Sequence, residues 1–288
     1  MRFITMVDIR KLNSPKETKG KIKGIIFDFD GVLSSFQMRI GWPILNAALM
    51  VKPELSRKRI IDTTMVIFDH LTTLEKMPKK TELLKLIFET GKRFGMSNFQ
   101  ALKFIVITSI IYAKNRKRIV PRTGVREVLQ ELLAQDFIMI LLTNSSHGVI
   151  KVAKERIPEL NRFDLILTRD DLKAIKPSEE GFLKVLELTG LKPEELLSIG
   201  DQASDIIASK KVKIRTIATF DEGMEFTKKH LIREKPDFII SDLQEIPELL
   251  RFLRDRIIED IRTTIDLTEK PLQEYLLSDE LNVKYTGP

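Results

Sequence analysis

The amino-acid sequence predicts an α/β protein that has a doubly wound parallel sheet and an inserted all-helical domain. Short apolar runs alternate with amphipathic helical segments along most of the chain, as in consecutive βαβ units. The first run, residues 24–27, is apolar or small throughout, as expected of a strand covered by helices on both faces. The next run begins only at Phe137, although such strands are usually joined through short loops and one helix. The long interval predicts an insertion.

The remaining strands and helices follow the same alternation. Five more strands are expected at residues 137–142, 163–167, 196–199, 214–218 and 238–240. Helices are expected at residues 124–135, 149–156, 178–188, 203–210 and 224–231, and from residue 245 to about 265. Because a helical run separates most of these strands, they are expected to lie parallel in a Rossmann-like sheet.

The insertion, residues 34–121, has a helical pattern throughout. Apolar residues recur at three- and four-residue spacing, as at Leu83 and Ile87. Ser97 followed by Gln100 resembles a capping box at a helix start. Four helices are therefore expected, at residues 36–51, 53–74, 79–94 and 97–117.

The insertion is also strongly basic. It contains 16 Lys and Arg against 6 Asp and Glu, a net charge of +10, whereas the whole chain carries +7 and the remainder therefore −3. We expect a mobile lid that attracts an anionic ligand, with hinges near residues 33–36 and 120–124. The predicted domains are a core (1–33 and 122–250), a cap (34–121) and a C-terminal helical extension (251–288) that favours a homodimer.

Composition rules out several kinds of site. The chain has no cysteine, which excludes disulfides, thiolate metal sites and a cysteine nucleophile.

The longest apolar stretch of the sequence, residues 104–113, is shorter than the roughly 18–20 residues that cross a bilayer. Basic residues follow the short apolar patch at residues 3–7, whereas they precede the apolar region of a secretory signal. We therefore predict a cytoplasmic protein without a membrane partner.

Polar clusters fall at or just after the ends of the predicted strands. They are Asp28 with Asp30, Thr143 with Asn144, Lys176 with Pro177, and Asp201 with Asp205. Because parallel strands bring their carboxyl ends to one edge of the sheet, these side chains are expected to converge. Carboxylates without His or Cys suit Mg²⁺, while a lysine and a hydroxyl beside them suit an anion such as phosphate.

The same four clusters resemble, in order, the motifs of the haloacid dehalogenase (HAD) superfamily. The matching stretches are Asp28-x-Asp30-Gly-Val, Leu142-Thr143-Asn144, Lys176-Pro177 and Gly200-Asp201-x-x-x-Asp205. The resemblance implies that Asp28 is a nucleophile forming an aspartyl-phosphate, and that Asp30 acts first as general acid and then as base. A helical insertion directly after the first motif resembles the cap of the phosphoglycolate phosphatase and β-phosphoglucomutase branch.

The resemblance also implies which residues bind phosphate and metal. The phosphate-binding residues are Thr143, Asn144 and Lys176, and the Mg²⁺ ligands are Asp28, Asp30, Asp201 and Asp205. The function it implies is a Mg²⁺-dependent phosphatase for a small phosphorylated metabolite. A phosphomutase and a phosphonate hydrolase are alternatives on the same core. A non-enzymatic nucleic-acid-binding module that uses the basic insertion is a third, but it does not need the four motifs, so no nucleic-acid partner is expected.

Overall fold

The computed structural model describes residues 22–71, 73–115, 117–220 and 225–259. Its strands are β1 (Gly24–Phe27), β2 (Ile138–Leu142), β3 (Leu165–Leu167), β4 (Leu196–Gly200), β5 (Arg215–Thr219) and β6 (Phe238–Ile240). They form one parallel sheet in the order β3-β2-β1-β4-β5-β6. All six predicted strands are confirmed, with ends that differ by two residues at most.

The sheet reverses its direction of growth at β1. This strand pairs with β2 on one side and β4 on the other, so that Phe27 lies between Leu141 and Ile199. Strands β2 and β3 extend the sheet in one direction, and β4 to β6 extend it in the other. The residues after β1 therefore lie at a topological switch point, where open α/β sheets form a crevice.

Ten α-helices are present in the part of the chain that the structure describes. They are α1 (Trp42–Val51), α2 (Arg57–Leu71), α3 (Lys80–Arg93), α4 (Asn98–Asn115), α5 (Val125–Leu133), α6 (His147–Arg156), α7 (Glu180–Thr189), α8 (Ala203–Lys211), α9 (Glu225–Arg233) and α10 (Ile246–Glu259). None of the helices in these described ranges is long and apolar enough to cross a membrane. The rest of the helix predicted to residue 265, and most of residues 251–288, lie outside the described residues.

Helices cover both faces of the sheet, which explains the continuously apolar strands. Ile25 and Phe27 of β1 pack in one buried cluster with α5, α6 and α10. Ile26, between them, packs in a second cluster with α7 and α8 on the opposite face. Because alternate residues of a strand face opposite sides, a sheet covered twice needs an apolar residue at every position.

The four predicted helices of the insertion correspond to α1–α4, which surround a hydrophobic cluster of their own. Ala47 and Ala48 of α1 pack there with Phe104 of α4 and with Phe94. The capping box is confirmed, since Gln100 N–H donates to Ser97 Oγ (3.2 Å) and Ser97 N–H to Gln100 Oε1 (2.9 Å). The helical cap is thus a separate packing unit, while the domain boundaries themselves stay a prediction.

Two helices of the insertion begin differently from what the sequence predicted. The first helix opens as a π-helical segment, Gln37–Gly41, before α1. Pro43 lies at the beginning of α1, and its missing N–H prevents an unbroken α-helical hydrogen-bond ladder there. The second begins at Arg57 rather than residue 53, where Ser56 Oγ accepts the Arg59 N–H at 3.3 Å and caps the helix.

Candidate active site

Asp28 and Asp30 are buried at the carboxyl end of β1. Asp28 N–H donates to Ile199 O (2.9 Å), which continues the sheet ladder one residue beyond the strand. Gly31 then turns the chain with a left-handed φ of 91°. A Cβ on Gly31 would lie 1.8 Å from Asp201 Oδ2, so only glycine lets the Asp201 carboxylate approach this turn.

The loop after β2 positions a hydroxyl and an amide. Thr143 Oγ1 accepts the Ser145 N–H (3.0 Å), so its own hydroxyl hydrogen can point elsewhere. The Asn144 side chain binds the backbone of Lys176 twice, at 3.1 Å to both its N–H and its carbonyl. Among the described contacts, the Asn144 backbone N–H has no acceptor. Asn144 therefore orients Lys176 while offering its amide to a ligand.

Lys176 is the central cation of the site. It is 4% exposed, and its Nζ lies 2.6 Å from Asp28 Oδ1, 2.5 Å from Asp205 Oδ1 and 3.0 Å from Leu142 O. Burial by itself lowers the pKa of Lys176, but the charges of Asp205 and Asp28 outweigh burial and raise it. The lysine is therefore a fixed positive charge at neutral pH.

Three carboxylates form an acidic cluster beside this lysine. One oxygen each from Asp28, Asp201 and Asp205 lies within 4.8 Å of the others, the group that could hold a metal ion among the described residues. Burial raises the pKa of Asp28 to about 7, although Lys176 opposes the rise. Burial, followed by the charges of Asp28 and Asp205, raises the pKa of Asp201 well above its usual value. Ionising all three carboxylates together is therefore unfavourable unless a further cation lies beside them.

The donor set fits a hard divalent cation. Asp201 Oδ1 is buried and has no hydrogen-bond partner among the described residues, which is costly unless a ligand occupies that side. All three groups offer carboxylate oxygens, the ligand type that Mg²⁺ and similar ions prefer. A divalent metal would stabilise the ionised carboxylates and provide a partner for Asp201 Oδ1.

Asp30 faces a different set of partners. Arg39 donates to it through Nε, at 2.7 Å to Oδ1, and through Nη2 to Oδ2. Ser145 Oγ donates to the same Oδ2 at 2.6 Å. The carboxylate of Asp30 is thus absent from the acidic cluster found among the described residues, and its place among the metal ligands stays a prediction.

Sequence reasoning missed three residues of this site. Arg39 comes from the π-helical segment of the cap and is 4% exposed. Arg122 Nη1 donates to Gly31 O (2.6 Å) and so holds the turn after Asp30. Ser145, the third, adjoins the predicted Thr143-Asn144 pair, a position that signals its proximity. A single arginine in a basic cap has no comparable signal.

A cavity of about 220 Å³ opens above these residues, between core and cap. Its floor contains the predicted Asp28, Asp30, Thr143, Asn144, Lys176 and Asp205. The cap supplies its roof, which is formed by Phe36, Arg39, Ile40, Leu71, Lys76, Met77, Pro78, Leu83 and Tyr112. The site is therefore a small chamber that the cap covers.

A second contact connects the cap to the core beside Lys176. Ile175 N–H donates to Glu75 O at 2.9 Å, and Lys211 Nζ lies 3.0 Å from Glu75 Oε1. Lys211 Nζ also donates to Pro177 O at 3.0 Å. The loop that joins α2 and α3 thereby contacts the loop that carries Lys176.

The chain is similar to several proteins of known family. It is 30% identical to the pyrophosphatase PpaX of Bacillus cereus over 129 residues, which cover 44% of this chain and 57% of that protein. The chain thus matches a little over half the length of this curated relative. PpaX of Bacillus mycoides is 29% identical over a match of similar extent.

Solved structures share the fold. A predicted phosphoglycolate phosphatase from Haemophilus somnus 129PT superposes with a TM-score of 0.58 at 20% identity, over 80% of this chain and 98% of that one. A HAD family hydrolase from Deinococcus radiodurans R1, crystallised with phosphate and sodium, gives 0.63 at 13% identity, over 81% and 97%. The family model for haloacid dehalogenase-like hydrolases matches residues 25–219, about two thirds of the sequence. On this match, and on the fold and the four motifs already described, the chain belongs to the haloacid dehalogenase-like hydrolase family.

Proposed function

We propose that this hydrolase is a Mg²⁺-dependent phosphatase that acts on a small phosphorylated metabolite through an aspartyl-phosphate on Asp28. One observation carries the proposal: the carboxylate of Asp28, on the floor of the chamber, lies beside a buried lysine and two further acids. Lys176 donates a hydrogen bond to Oδ1 of Asp28, and no donor among the described residues contacts Oδ2. The second oxygen is therefore available to attack phosphorus.

The side chains around Asp28 have separate tasks. The Thr143 hydroxyl and the Asn144 amide donate hydrogen bonds to oxygens of the phosphoryl group, and Lys176 balances their charge. Asp28, Asp201 and Asp205 hold the metal. A bound Mg²⁺ supplies positive charge that lowers repulsion between the carboxylates and the phosphoryl group. The small chamber favours a metabolite over a macromolecule.

The reaction takes two displacements at phosphorus. In the first, an Asp28 oxygen bonds to phosphorus, the bond from phosphorus to the leaving oxygen breaks, and Asp30 gives that oxygen a proton. In the second, water attacks phosphorus and gives a proton to Asp30, and the bond between phosphorus and Asp28 breaks. Inorganic phosphate leaves, and Asp28 and Asp30 return to their starting states.

Phosphate release from a panel of phosphorylated metabolites, with Mg²⁺ and with a chelator, tests this function. The expected result is Mg²⁺-dependent release that the Asp28→Asn variant loses, because an amide does not attack phosphorus. Asp62→Asn, on the exposed surface of α2, is the matched control and should keep full activity. Release by Asp28→Asn would contradict the nucleophile, and isomerised substrate without release would identify a phosphomutase instead.

A further inference from the structure

Arg39 is a buried cap residue that touches the proposed proton donor. It lies in the π-helical segment of the cap, whereas Asp30 and Ser145, its two partners, belong to the core. Nε and Nη2 of its guanidinium both donate hydrogen bonds to the Asp30 carboxylate. Nη2 also donates to Ser145 Oγ at 2.9 Å. This three-residue cluster is a direct polar connection from the cap into the catalytic floor.

The cluster engages both oxygens of Asp30. Oδ1 accepts from Arg39, and Oδ2 accepts from both Arg39 and Ser145. An acid that protonates a leaving group must place one of its oxygens within hydrogen-bond distance of the leaving oxygen. A leaving group that approaches Asp30 must therefore compete with Arg39 for its oxygens.

Displacing Arg39 requires a replacement anion. A guanidinium that is 4% exposed pays a large desolvation penalty if it loses its carboxylate partner and gains no other. The leaving group of a substrate lies between Asp30 and the cap, because the cap forms the roof of the chamber. Arg39 lines the same chamber, so a negative charge on the leaving group would lie beside it.

We propose that Arg39 determines substrate specificity by exchanging Asp30 for a second anionic group on the leaving group. The substrate class is a phosphate ester whose leaving group carries a carboxylate or a further phosphate close to the ester oxygen. Binding of that group to Arg39 frees Asp30, which takes up a proton from water and then gives it to the leaving oxygen. This inference rests on the proposed phosphatase activity and adds to it a rule for choosing substrates.

Two isosteric substrates separate the charge from the shape of the leaving group. They are the phosphate ester of glycolate and the phosphate ester of glycolamide, in which an uncharged amide replaces the carboxylate. A third substrate, p-nitrophenyl phosphate, has a leaving group that needs little protonation and reports on the shared phosphoryl chemistry. For the parent enzyme we expect kcat/KM for the glycolate ester to exceed that for the glycolamide ester by about tenfold or more.

The variants are Arg39→Met, Arg39→Lys and the control Lys103→Met, which removes the same charge from an exposed site on α4. In Arg39→Met the preference for the carboxylate should fall by about tenfold or more. It should fall through a higher KM for the glycolate ester, while kcat for the glycolamide ester holds or rises because Arg39 no longer competes for Asp30. Arg39→Lys should restore part of the preference, and Lys103→Met should keep all of it.

Two outcomes would overturn the proposal. One is a parent enzyme that uses both glycolyl esters equally well, a result that needs no variant to fold. The other is an Arg39→Met variant whose activity falls by the same factor on all three substrates, since Arg39 would then serve the shared phosphoryl group or the fold. A parent enzyme that releases phosphate from none of the three, p-nitrophenyl phosphate included, would instead contradict the phosphatase function.

Discussion

At the scale of single residues, the site is built on the contrast between Asp28 and Lys176. Both are buried, and each is costly in that position without the other. The lysine makes charge-assisted contacts to both Asp28 and Asp205, at 2.6 and 2.5 Å. Removing the lysine would leave buried carboxylates facing one another with less positive charge to separate them.

The first prediction follows for Lys176→Met. We expect kcat at pH 7 to fall by roughly 10²–10³-fold, because a positive charge aimed at the reacting group is lost. The control is Lys173→Met, which removes an exposed lysine three residues earlier. Steady-state phosphate release measures both variants, and a Lys176→Met variant within tenfold of the parent would contradict the role given to the lysine.

The second prediction concerns pH and metal. Burial raises the pKa of Asp28 from its usual 3.8 to about 7, so between these pH values the folded protein binds more protons than the unfolded chain. The free energy of unfolding of the metal-free protein therefore falls as pH rises through this range. The raised pKa of Asp201 adds a change of the same sign. Adding Mg²⁺ should restore more stability at pH 8 than at pH 5, because the metal needs deprotonated carboxylates.

Thermal unfolding at pH 5 and pH 8, with a chelator and with Mg²⁺, measures this dependence. Asp201→Asn should lessen the loss of Tm between the two pH values in chelator. Asp62→Asn, exposed on α2, should reproduce the parent curve. An Asp201→Asn variant with the parent's full pH dependence would show that the acidic cluster does not cause it.

Sequence alone placed most of the site residues, because each follows the end of a strand. Strand ends are readable from apolar runs, and a parallel sheet brings them together, so Asp28, Thr143 and Asp201 could be predicted to meet. Arg39 could not, since its burial depends on how the cap sits on the core. The side-chain role of Asn144, which holds the Lys176 backbone, likewise depends on loop geometry.

At the scale of elements, the turn after β1 is the most constrained part of the site. Gly31 combines a left-handed φ with close approach of the Asp201 carboxylate, so its substitution affects both backbone and site. Helix starts are less constrained, and here the sequence pattern was less informative. The spacing of apolar residues predicted that the second cap helix begins at residue 53. In the structure Ser56 caps this helix and Arg57 is its first residue.

The third prediction is that Gly31→Ala destabilises the protein by roughly 1–3 kcal/mol and weakens metal binding. The added Cβ would overlap Asp201 Oδ2, which must then move away from the other two acids. Gly148→Ala, in the first turn of α6, is the control because its nearest atom would be 3.9 Å away. Urea unfolding and the Mg²⁺ concentration for half-maximal activity measure the two effects. Unchanged values for both in Gly31→Ala would contradict this reading of the turn.

At the scale of the whole molecule, the cap and core meet along the chamber and at the two chain crossings. Ser35 N–H donates to Val120 O (2.8 Å) and Arg122 N–H to Leu33 O (3.1 Å), where the sequence predicted the hinges. The existence of a helical cap could be predicted from the gap between strands. Its docking could not, because the Arg39–Asp30 and Glu75–Lys211 contacts join residues that no local pattern connects.

The fourth prediction concerns the charge of the cap. Lys76, at the chamber, and the nearby exposed Lys79 and Lys80 lie close enough to attract an anionic substrate. Residues 57–59 form the start of α2, and Leu71 at the other end of this helix lines the chamber. Along the helix axis, residues 57–59 therefore lie about 20 Å from the chamber. That exceeds the Debye length of about 8 Å at physiological salt.

Replacing Lys76, Lys79 and Lys80 with Gln should therefore flatten the fall of kcat/KM with ionic strength. The matched triple replacement at residues 57–59 removes the same charge from the far end of α2 and should change the slope little. The comparison uses one phosphate ester at several salt concentrations. Equal slopes for the parent and the variant at Lys76, Lys79 and Lys80 would show that the cap charge plays no part in capture.

The covalent intermediate on Asp28 can be observed directly. The Asp30→Asn variant lacks the base for the second displacement, so p-nitrophenyl phosphate should give a burst of p-nitrophenol and leave the phosphoryl group on the enzyme. Borohydride reduces an aspartyl-phosphate to homoserine, which peptide mass spectrometry locates. The predicted result is homoserine at position 28, in proportion to the burst. A burst with the phosphoryl group on another residue, or with Asp28 unmodified, would contradict the mechanism.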